Sequence, residues 1–370
     1  MIFVLMFFCL MKFSNALIEW YHPNKRDLPW RDTKNPYFIW ISEIILQQTR
    51  VQQGLGYYMR FIEAFPTIES LANAPLEKVL KCWQGLGYYT RARNIHLTAK
   101  FVVDEYNGVL PNTYAGLLKL RGIGDYTAAA IASFAFDEPV AAIDGNVYRI
   151  YARVFGIYAP IDKGVGKKIV REIATAEFDL KQPATFNQAI MDLGGQVCLP
   201  KNPLCESCPI KAICYAFKCG EVASLPVKAL KTKVRDRYFY YILIRYGIFT
   251  YISQRKDKDI WHSLFEFPLI ESYHALQPEE VMLTSDWVDI CGNGRVEVTY
   301  ISDEQKHLLS HQHLFSRFFI VEVEKPSYLL LRDYTKVLIN DMEEFSTPRL
   351  IERFLAAEPA AKYFIKGVDF

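Results

Sequence analysis

The sequence has little excess charge of either sign, no long hydrophobic run and no repetitive tract. Its 43 basic and 41 acidic residues leave a net charge of +2. This balance neither shows nor excludes nucleic-acid binding, because phosphate needs only a local basic face. The apolar residues 1–10 are too few to span a bilayer and lack the positive segment of a signal peptide. We therefore expect a cytoplasmic, nucleoid-associated protein with no membrane segment, in which residues 1–10 are a frayed extension or translation begins at Met11.

The 370 residues fit two or three domains better than one. Residues 12–220 carry apolar side chains at three- and four-residue spacing, which predicts an almost wholly helical domain. Residues 221–232 are typical of a linker. Residues 233–370 contain segments rich in aromatic and β-branched residues, which favour strands. The predicted strands are residues 239–246, 248–253, 296–301 and 315–323. A final helix is predicted with Thr347 as N-cap and Pro348 in its first turn.

Four of the eight cysteines lie within 17 residues of one another, which in a long chain favours a metal site over a disulfide framework. These four are Cys198, Cys205, Cys208 and Cys214. Zinc ribbons use two tight pairs separated by a longer insert, whereas this segment has a single tight pair. We therefore predict a structural [4Fe–4S] cluster held by residues 198–214. Structural zinc and free buried cysteines are the alternatives.

Residues 113–136 are predicted to form two helices joined by a tight turn. Gly122 and Gly124 lie in this turn, where glycine permits positive φ and close approach of backbone to a ligand. The N–H groups of the turn and of a helix start near Asp125 can bind a phosphate oxygen without reading base sequence. A short helix should end near Leu120. The segment therefore predicts a helix–hairpin–helix contact to DNA, although Gly-x-Gly alone is also found in other helix–helix turns.

Two carboxylates differ from their surroundings. Glu43 lies in residues 38–51, a predicted helix that is apolar around most of its circumference. A carboxylate there is either a partnered structural residue or a group with a raised pKa, and a raised pKa suits a general acid near neutral pH. Asp144 directly precedes a predicted amphipathic helix. From that segment alone Asp144 is an ordinary helix N-cap.

These segments together resemble the helix–hairpin–helix, iron–sulfur DNA glycosylase superfamily, and more narrowly the MutY-type adenine DNA glycosylases. The similar strings cover nearly all of residues 12–215. They are LPWR at 28–31, WISEIILQQTRV at 40–51, GLGYYTRARN at 85–94, LRGIGDYTAAAI at 120–131, IDGNVYR at 143–149, FNQAIMDLG at 186–194 and the cysteine loop. The resemblance implies a multidomain protein, with an all-α glycosylase domain followed by an α+β domain.

The resemblance also implies catalytic roles. Glu43 would protonate the adenine, and Asp144 would stabilise the positive, oxocarbenium-like sugar, a division of labour that resembles glycoside cleavage. Asn146 would help to hold the site near Asp144. Endonuclease III-like relatives carry a lysine at position 126 that forms a Schiff base, whereas this chain has Tyr126. We therefore predict a monofunctional glycosylase that leaves an abasic site.

Substrate contacts follow from the same resemblance. The adenine would be flipped out of the stack into a pocket lined by Arg31 and Gln188. Gln48 and Tyr88 would wedge into the duplex. Further candidates for phosphate contacts, each also compatible with an ordinary solvated surface, are Arg91, Arg93, Lys167 and Lys168.

The strand-rich half contains WHSLFEFP at 261–268, which resembles a string of Nudix-like domains, but the Nudix metal box does not follow it. A catalytically silent Nudix-like domain is therefore expected. In the family such a domain recognises 8-oxoguanine through a short Phe-Ser-His string. The nearest match here is Leu309, Ser310 and His311, in which leucine replaces the aromatic residue. Residues 315–317 are a rival register that lacks the histidine.

The resemblance implies a base excision repair enzyme that acts as a monomer on double-stranded DNA with adenine opposite 8-oxoguanine or guanine. Rival hypotheses are a thymine mismatch glycosylase or an endonuclease III-like lyase, a non-catalytic module that binds damaged DNA, and an unrelated iron–sulfur redox protein. The Nudix-like half and Tyr126 disfavour the thymine mismatch glycosylase and the endonuclease III-like lyase. Both Glu43 and Asp144 are present, which disfavours an inactive module.

Overall fold

The computed structural model describes residues 2–229, 234–257, 259–309 and 311–357, with side chains from residue 13 onward. The chain forms two compact units. The first comprises residues 1–73 and 94–230, and the second comprises residues 74–93 and 231–370. Within the described residues, no helix has the length and apolar character needed to cross a membrane.

Helices follow one another from residue 2 to residue 218, and the apolar periodicity predicted them from residue 12 onward. Their bounds are α1 (Ile2–Asn24), α2 (Pro36–Leu46), α3 (Val51–Ala64), α4 (Ile68–Ala72), α5 (Leu76–Trp83), α6 (Thr90–Tyr106), α7 (Tyr114–Leu117), α8 (Asp125–Phe136), α9 (Gly145–Phe155), α10 (Gly164–Ala176), α11 (Pro183–Gln196) and α12 (Tyr215–Lys218). Short 3-10 turns lie at Pro29–Arg31, Cys205–Ser207 and Lys211–Ile213. The helix α5 belongs to the second unit.

Small side chains let α8 pack closely on its neighbours. Residues 128–132 of α8 are buried and four of these five are alanine, so α2 and α11 both contact this helix. The predicted apolar stripe of α9 is also buried and shares one core with α1, α10 and α11. This packing places the start of α9 beside the middle of α2 and the start of α8, where the candidate catalytic residues lie.

The helix–hairpin–helix contains one glycine in the left-handed region. Gly122 has φ of +77°, and a Cβ there would approach the Cβ of Asn94 to 2.7 Å. Gly124 has φ of −94° and is the N-cap of α8. The expected positive φ is therefore found at Gly122 and not at Gly124. The second helix begins at Asp125 as predicted. The first helix ends at Leu117 rather than near Leu120, because the N–H groups of Lys119 and Leu120 bond to carbonyls three residues back instead of four.

Among the residues that the structure describes, the second unit contains two sheets and, besides α5, four α-helices. The strands are β1 (Arg235–Arg245), β2 (Phe249–Gln254), β3 (Phe265–Glu266), β4 (Leu269–Ser272), β5 (Val296–Ile301), β6 (Gln305–Leu308), β7 (Gln312–Val323) and β8 (Thr335–Leu338). The larger sheet has the order β4-β1-β7-β5 with β6 also on β7, and β1 and β7 are parallel. The smaller sheet has the order β3-β2-β8 and is antiparallel. The helices are α13 (Pro278–Met282), α14 (Ser285–Cys291), α15 (Tyr328–Asp333) and α16 (Arg349–Ala356).

All four predicted strands are present, and the closing helix differs from the prediction by one residue. It begins at Arg349, and its N-cap is Pro348 rather than Thr347. Pro348 has ψ of 142°, an extended conformation that places it outside the first helical turn.

Candidate active site

A cleft of about 1030 Å³ opens in the first unit and is lined by the four predicted catalytic residues and by four of the predicted DNA-contacting residues. The predicted residues in its lining are Arg31, Glu43, Gln48, Gly124, Tyr126, Asp144, Asn146 and Gln188. They come from chain segments more than 150 residues apart. The fold therefore brings together in one cavity side chains that the sequence only suggested as a set.

Glu43 lies in the middle of α2 and is only 6% exposed. Burial raises the pKa of Glu43 to about 7, because a carboxylate loses its hydration in an apolar helix packing surface. The hydroxyl of Tyr126 donates a 2.7 Å hydrogen bond to Oε2 of Glu43 and opposes part of this increase. Both alternatives raised by the sequence therefore hold, since Glu43 is partnered and also has a raised pKa. Near neutral pH it can carry a proton.

Tyr126 is the second residue of α8. Because α8 packs against α2, its side chain lies beside Glu43. Burial and the nearby Glu43 carboxylate raise the pKa of Tyr126 well above its ordinary value, so the phenol stays protonated and can donate. Its hydroxyl also lies 3.7 Å from Sδ of Met191. A phenol at this position offers no amine for Schiff-base formation.

Asp144 caps α9 and also faces the cleft. One carboxylate oxygen accepts from the backbone N–H of Val147 at 2.8 Å, and the other accepts from the side-chain amide of Asn146 at 2.8 Å. Burial raises the pKa of Asp144, and these hydrogen bonds oppose the increase by stabilising the charged form. Asn146 is fixed in turn, because the guanidinium of Arg149 donates to its carbonyl oxygen at 2.8 Å. The N-cap role and a catalytic role are thus compatible.

Arg31 is held in the cleft by an aspartate that the sequence did not single out. The two terminal nitrogens of Arg31 donate to the two oxygens of Asp192 at 2.6 and 2.7 Å, and Arg26 also pairs with Asp192. Asp192 is fully buried. Burial would raise its pKa, but the hydrogen bonds and charges of the two arginines outweigh burial and lower it. An acidic residue in the apolar helix α11, four residues after Gln188, was the available sequence signal.

Gln188 also has a partner that sequence reasoning missed. The hydroxyl of Tyr21 donates to Oε1 of Gln188 at 2.6 Å, and Tyr21 is 5% exposed. The guanidinium of Arg31 lies 5.8 Å from the centre of the Tyr21 ring. One buried tyrosine of α1 therefore supports both residues predicted to line the base pocket.

The two predicted wedge residues share an uncommon backbone conformation. Gln48 has φ of 57° and Tyr88 has φ of 49°, a region that non-glycine residues adopt at a cost of roughly 1–3 kcal/mol. Gln48 follows α2 in the first unit, and Tyr88 follows α5 in the second. Both side chains are exposed, Tyr88 by 50%.

The four clustered cysteines line one small cavity beside α9. Arg153 of α9 donates to Sγ of Cys198 at 3.4 Å. Burial raises the pKa of the Cys208 thiol to about 11, and the neighbouring cysteines add to this increase. Among the residues that the structure describes, no three histidine, cysteine, aspartate or glutamate side chains are arranged to hold a single metal ion.

In the second unit, Leu309 and His311 lie at the tip of the hairpin between β6 and β7. The backbone N–H of Leu309 donates to the carbonyl of Gln312 at 2.9 Å and closes this turn. Ser310 lies outside the described residues. The rival register at residues 315–317 lies inside β7, where Ser316 is 1% exposed and donates to the carbonyl of Gln305. The hairpin tip is therefore the more accessible of the two.

The predicted phosphate contacts fall into two groups. Lys167 and Lys168 are exposed on α10, and Arg171 of the same helix pairs with Asp125 of the hairpin at 3.1 Å. In the second unit, Arg91 is half-buried, lies 5.3 and 5.5 Å from the ring centres of Trp83 and Tyr88, and has a pKa lowered by burial to about 10. Arg93 likewise has internal partners, donating to Thr90 at 2.8 Å and to the carbonyl of His262.

This fold and cleft define a class of protein. Residues 41–174 match the model of the HhH-GPD superfamily base excision DNA repair proteins. A thermostable thymine-DNA glycosylase has a similar structure, with a TM-score of 0.52, 28% identity, and coverage of 57% of this chain and 97% of that one. An endonuclease III structure determined with DNA has a TM-score of 0.50 and 24% identity, covers 58% and 96% of the two chains, and supports the fold.

The particular family follows from a longer match. The chain is 36% identical over 305 residues to an adenine DNA glycosylase of Buchnera aphidicola subsp. Baizongia pistaciae, and the match covers 82% of this chain and 84% of that protein. The chain belongs to the adenine DNA glycosylase family, as its motifs predicted.

Proposed function

We propose that this protein is a monofunctional glycosylase that hydrolyses the bond between adenine and deoxyribose where adenine is mispaired with 8-oxoguanine or guanine. The hydrogen-bonded pair of Glu43 and Tyr126, in one cleft with Asp144, carries this proposal. Acid-assisted cleavage requires a proton donor and a carboxylate. Glu43, with a pKa of about 7, would supply the first, and Asp144, whose two hydrogen bonds favour its charged form, would supply the second.

The proposed reaction begins when adenine is flipped into the cleft between Arg31 and Gln188. Protonated Glu43 transfers its proton to a ring nitrogen of adenine, and the glycosidic bond breaks with its electron pair moving to the base. Asp144 stabilises the positive sugar that remains, and Asn146 holds Asp144 in place. Water then adds to the sugar, and its released proton passes to the Glu43 carboxylate, which leaves an abasic site and returns Glu43 to its protonated form. While Glu43 is deprotonated, the Tyr126 hydroxyl donates a hydrogen bond to its carboxylate. Tyr126 has no amine and so cannot form a Schiff base with the sugar.

DNA would be held by groups that bind its backbone and by residues that enter the stack. The turn at Gly122 and Gly124 offers N–H groups to a phosphate, and the exposed Lys167 and Lys168 extend this surface with positive charge. Gln48 and Tyr88 would act as wedges. Their uncommon backbone conformation and their exposure are typical of residues at ligand-binding sites.

Cys198, Cys205, Cys208 and Cys214 would hold a [4Fe–4S] cluster. The donor set fits, because four thiols line one cavity, and buried thiolates need a positive partner to remain ionised. When bound, the cluster would cross-link the loop at 198–214 without an open position for substrate. Its role would be structural, with a contribution to DNA docking.

The second unit would supply recognition of the opposite base. We propose a glycosylase domain at residues 12–220, a linker at 221–232 and a catalytically silent Nudix-like domain at 233–370. In this domain Leu309, Ser310 and His311 would contact 8-oxoguanine. A mixed sheet with an exposed hairpin tip supports this assignment.

The test is a single-turnover assay on duplexes that contain adenine opposite 8-oxoguanine, guanine or thymine, with alkali added afterwards to cut abasic sites. A duplex with thymine opposite guanine tests the rival mismatch activity. We expect strand cleavage only after alkali, fastest with adenine opposite 8-oxoguanine. Cleavage without alkali, together with a borohydride-trapped adduct, would contradict the monofunctional assignment. No adenine release from iron-loaded protein would refute the proposed function.

A further inference from the structure

A buried arginine of the second unit contacts the residue that follows the tip of the β6–β7 hairpin. Arg237 of β1 has a side chain only 7% exposed and pairs with two carboxylates. Its Nε and Nη2 donate to the two oxygens of Glu271 at 2.6 and 2.7 Å, and Nη1 lies 2.7 Å from Oδ2 of Asp259. This bidentate geometry fixes the guanidinium plane. One more hydrogen bond of Arg237 leads towards the hairpin tip.

That bond goes to Gln312, the first residue of β7, which is fully buried. Oε1 of Gln312 accepts from Nη1 of Arg237 at 3.1 Å and from Nε of Arg235 at 3.3 Å. On its other side, Nε2 of Gln312 lies 3.2 Å from Nε2 of His311. Gln312 thus connects two arginines, Arg237 held by its two carboxylate partners and the exposed Arg235, to the histidine of the hairpin tip.

The chemistry of these groups leaves one arrangement of protons. Guanidinium nitrogens can only donate, so the glutamine oxygen must face Arg235 and Arg237. The amide nitrogen, which can only donate, must therefore face His311. The Nε2 atom of His311 then has to accept, which requires a neutral ring with its proton on Nδ1. The arginines thereby determine the histidine tautomer through one glutamine amide.

We propose that Gln312 is a positioning residue that holds His311 as the Nδ1–H tautomer and so orients a hydrogen-bond donor at the hairpin tip. This inference rests on the proposed function, in which His311 contacts the oxidised base. 8-Oxoguanine carries a carbonyl oxygen at C8, which accepts a hydrogen bond, whereas guanine has only a C–H group there. A donor fixed on His311 would distinguish the two bases through this oxygen.

The most informative variant is Gln312→Glu. A carboxylate still accepts from the buried Arg237 and from the exposed Arg235, so both arginines keep this partner. It cannot donate to His311, and the ring must then place a proton on Nε2. Gln277→Glu, at the exposed N-cap of α13, adds the same charge without contacting a histidine and is the matched control.

The tautomer is measured by nitrogen NMR of the full-length protein labelled in its histidine rings. The His311→Ala variant identifies the His311 signals among those of the seven histidines. We expect the proton on Nδ1 in the wild type and in Gln277→Glu, and on Nε2 in Gln312→Glu. A proton on Nε2 in the wild type would overturn the inference.

Specificity is measured in parallel as the ratio of single-turnover rates for adenine opposite 8-oxoguanine and opposite guanine. Gln312→Glu should lower this ratio about tenfold, the effect of losing one hydrogen bond. A reversed tautomer with an unchanged ratio would overturn the inference and leave base reading by His311 intact. An unchanged ratio in His311→Ala would instead refute base reading by His311, and with it the specificity role of Gln312.

Discussion

Replacing Tyr126 with phenylalanine should move the alkaline limb of the pH–rate profile upwards. Glu43 acts in its protonated form under the proposed mechanism, so the rate of adenine release falls as pH rises through its pKa of about 7. The Tyr126 hydroxyl donates to the Glu43 carboxylate at 2.7 Å and therefore stabilises the deprotonated form. Without this donor the carboxylate is less stable, and the pKa of Glu43 rises further.

The size of the change follows from the strength of that bond. A hydrogen bond to a charged group contributes about 1.5–3 kcal/mol, and one pKa unit corresponds to about 1.4 kcal/mol. The alkaline limb should therefore move up by about one to two pH units. At pH 8 about a tenth of Glu43 is protonated in the wild type, whereas at least about half should be protonated in Tyr126→Phe.

The assay is single-turnover adenine release from pH 5 to pH 9, with each protein normalised to its own maximal rate. Tyr151→Phe is the matched control, because it removes a buried hydroxyl that has no hydrogen-bond partner among the described residues. Its profile should coincide with that of the wild type. If Tyr126→Phe leaves the limb in place or lowers it, then either Glu43 is not the acid or Tyr126 does not set its pKa.

Three further predictions concern single residues. Glu43→Gln should reduce adenine release at least about 10²-fold, yet it should raise the melting temperature at pH 8. The folded-state pKa of Glu43 lies above its unfolded value, so the wild type loses up to about 3 kcal/mol of stability as pH rises through about 7. A lower melting temperature of Glu43→Gln at pH 8 would therefore contradict the burial argument. At pH 5 the melting temperatures of the two proteins should be similar. Asp144→Asn retains an oxygen for the Val147 N–H but turns its amide nitrogen towards the amide donor of Asn146, so its free energy of unfolding should fall by about 1–3 kcal/mol. Its rate of adenine release should fall about 10²–10³-fold, and a near-normal rate would remove Asp144 from catalysis. Cys208→Ser should lose bound iron, measured by elemental analysis and visible absorption, and full iron content would exclude Cys208 as a ligand.

Local pattern alone predicted a helical first part of the chain, four of the eight strands that the structure describes, and the cysteine loop. The start of α8 at Asp125 and the cap at Asp144 were predictable because capping and turn chemistry act over a few residues. The boundary at Pro348 was wrong by one residue for the same reason, since neighbouring residues compete for a cap and the surrounding packing decides between them.

The sequence by itself predicted which residues would carry the proposed chemistry, because residue type and the motifs that resemble the family are local properties. Tertiary structure alone decided how those residues are tuned. The pKa of Glu43 depends on burial and on Tyr126, which is 83 residues away in the chain. Arg31 is fixed by Asp192 and Gln188 by Tyr21, across 161 and 167 residues. Burial and hydrogen bonding between distant segments arise only when the chain is packed, and no local pattern specifies them.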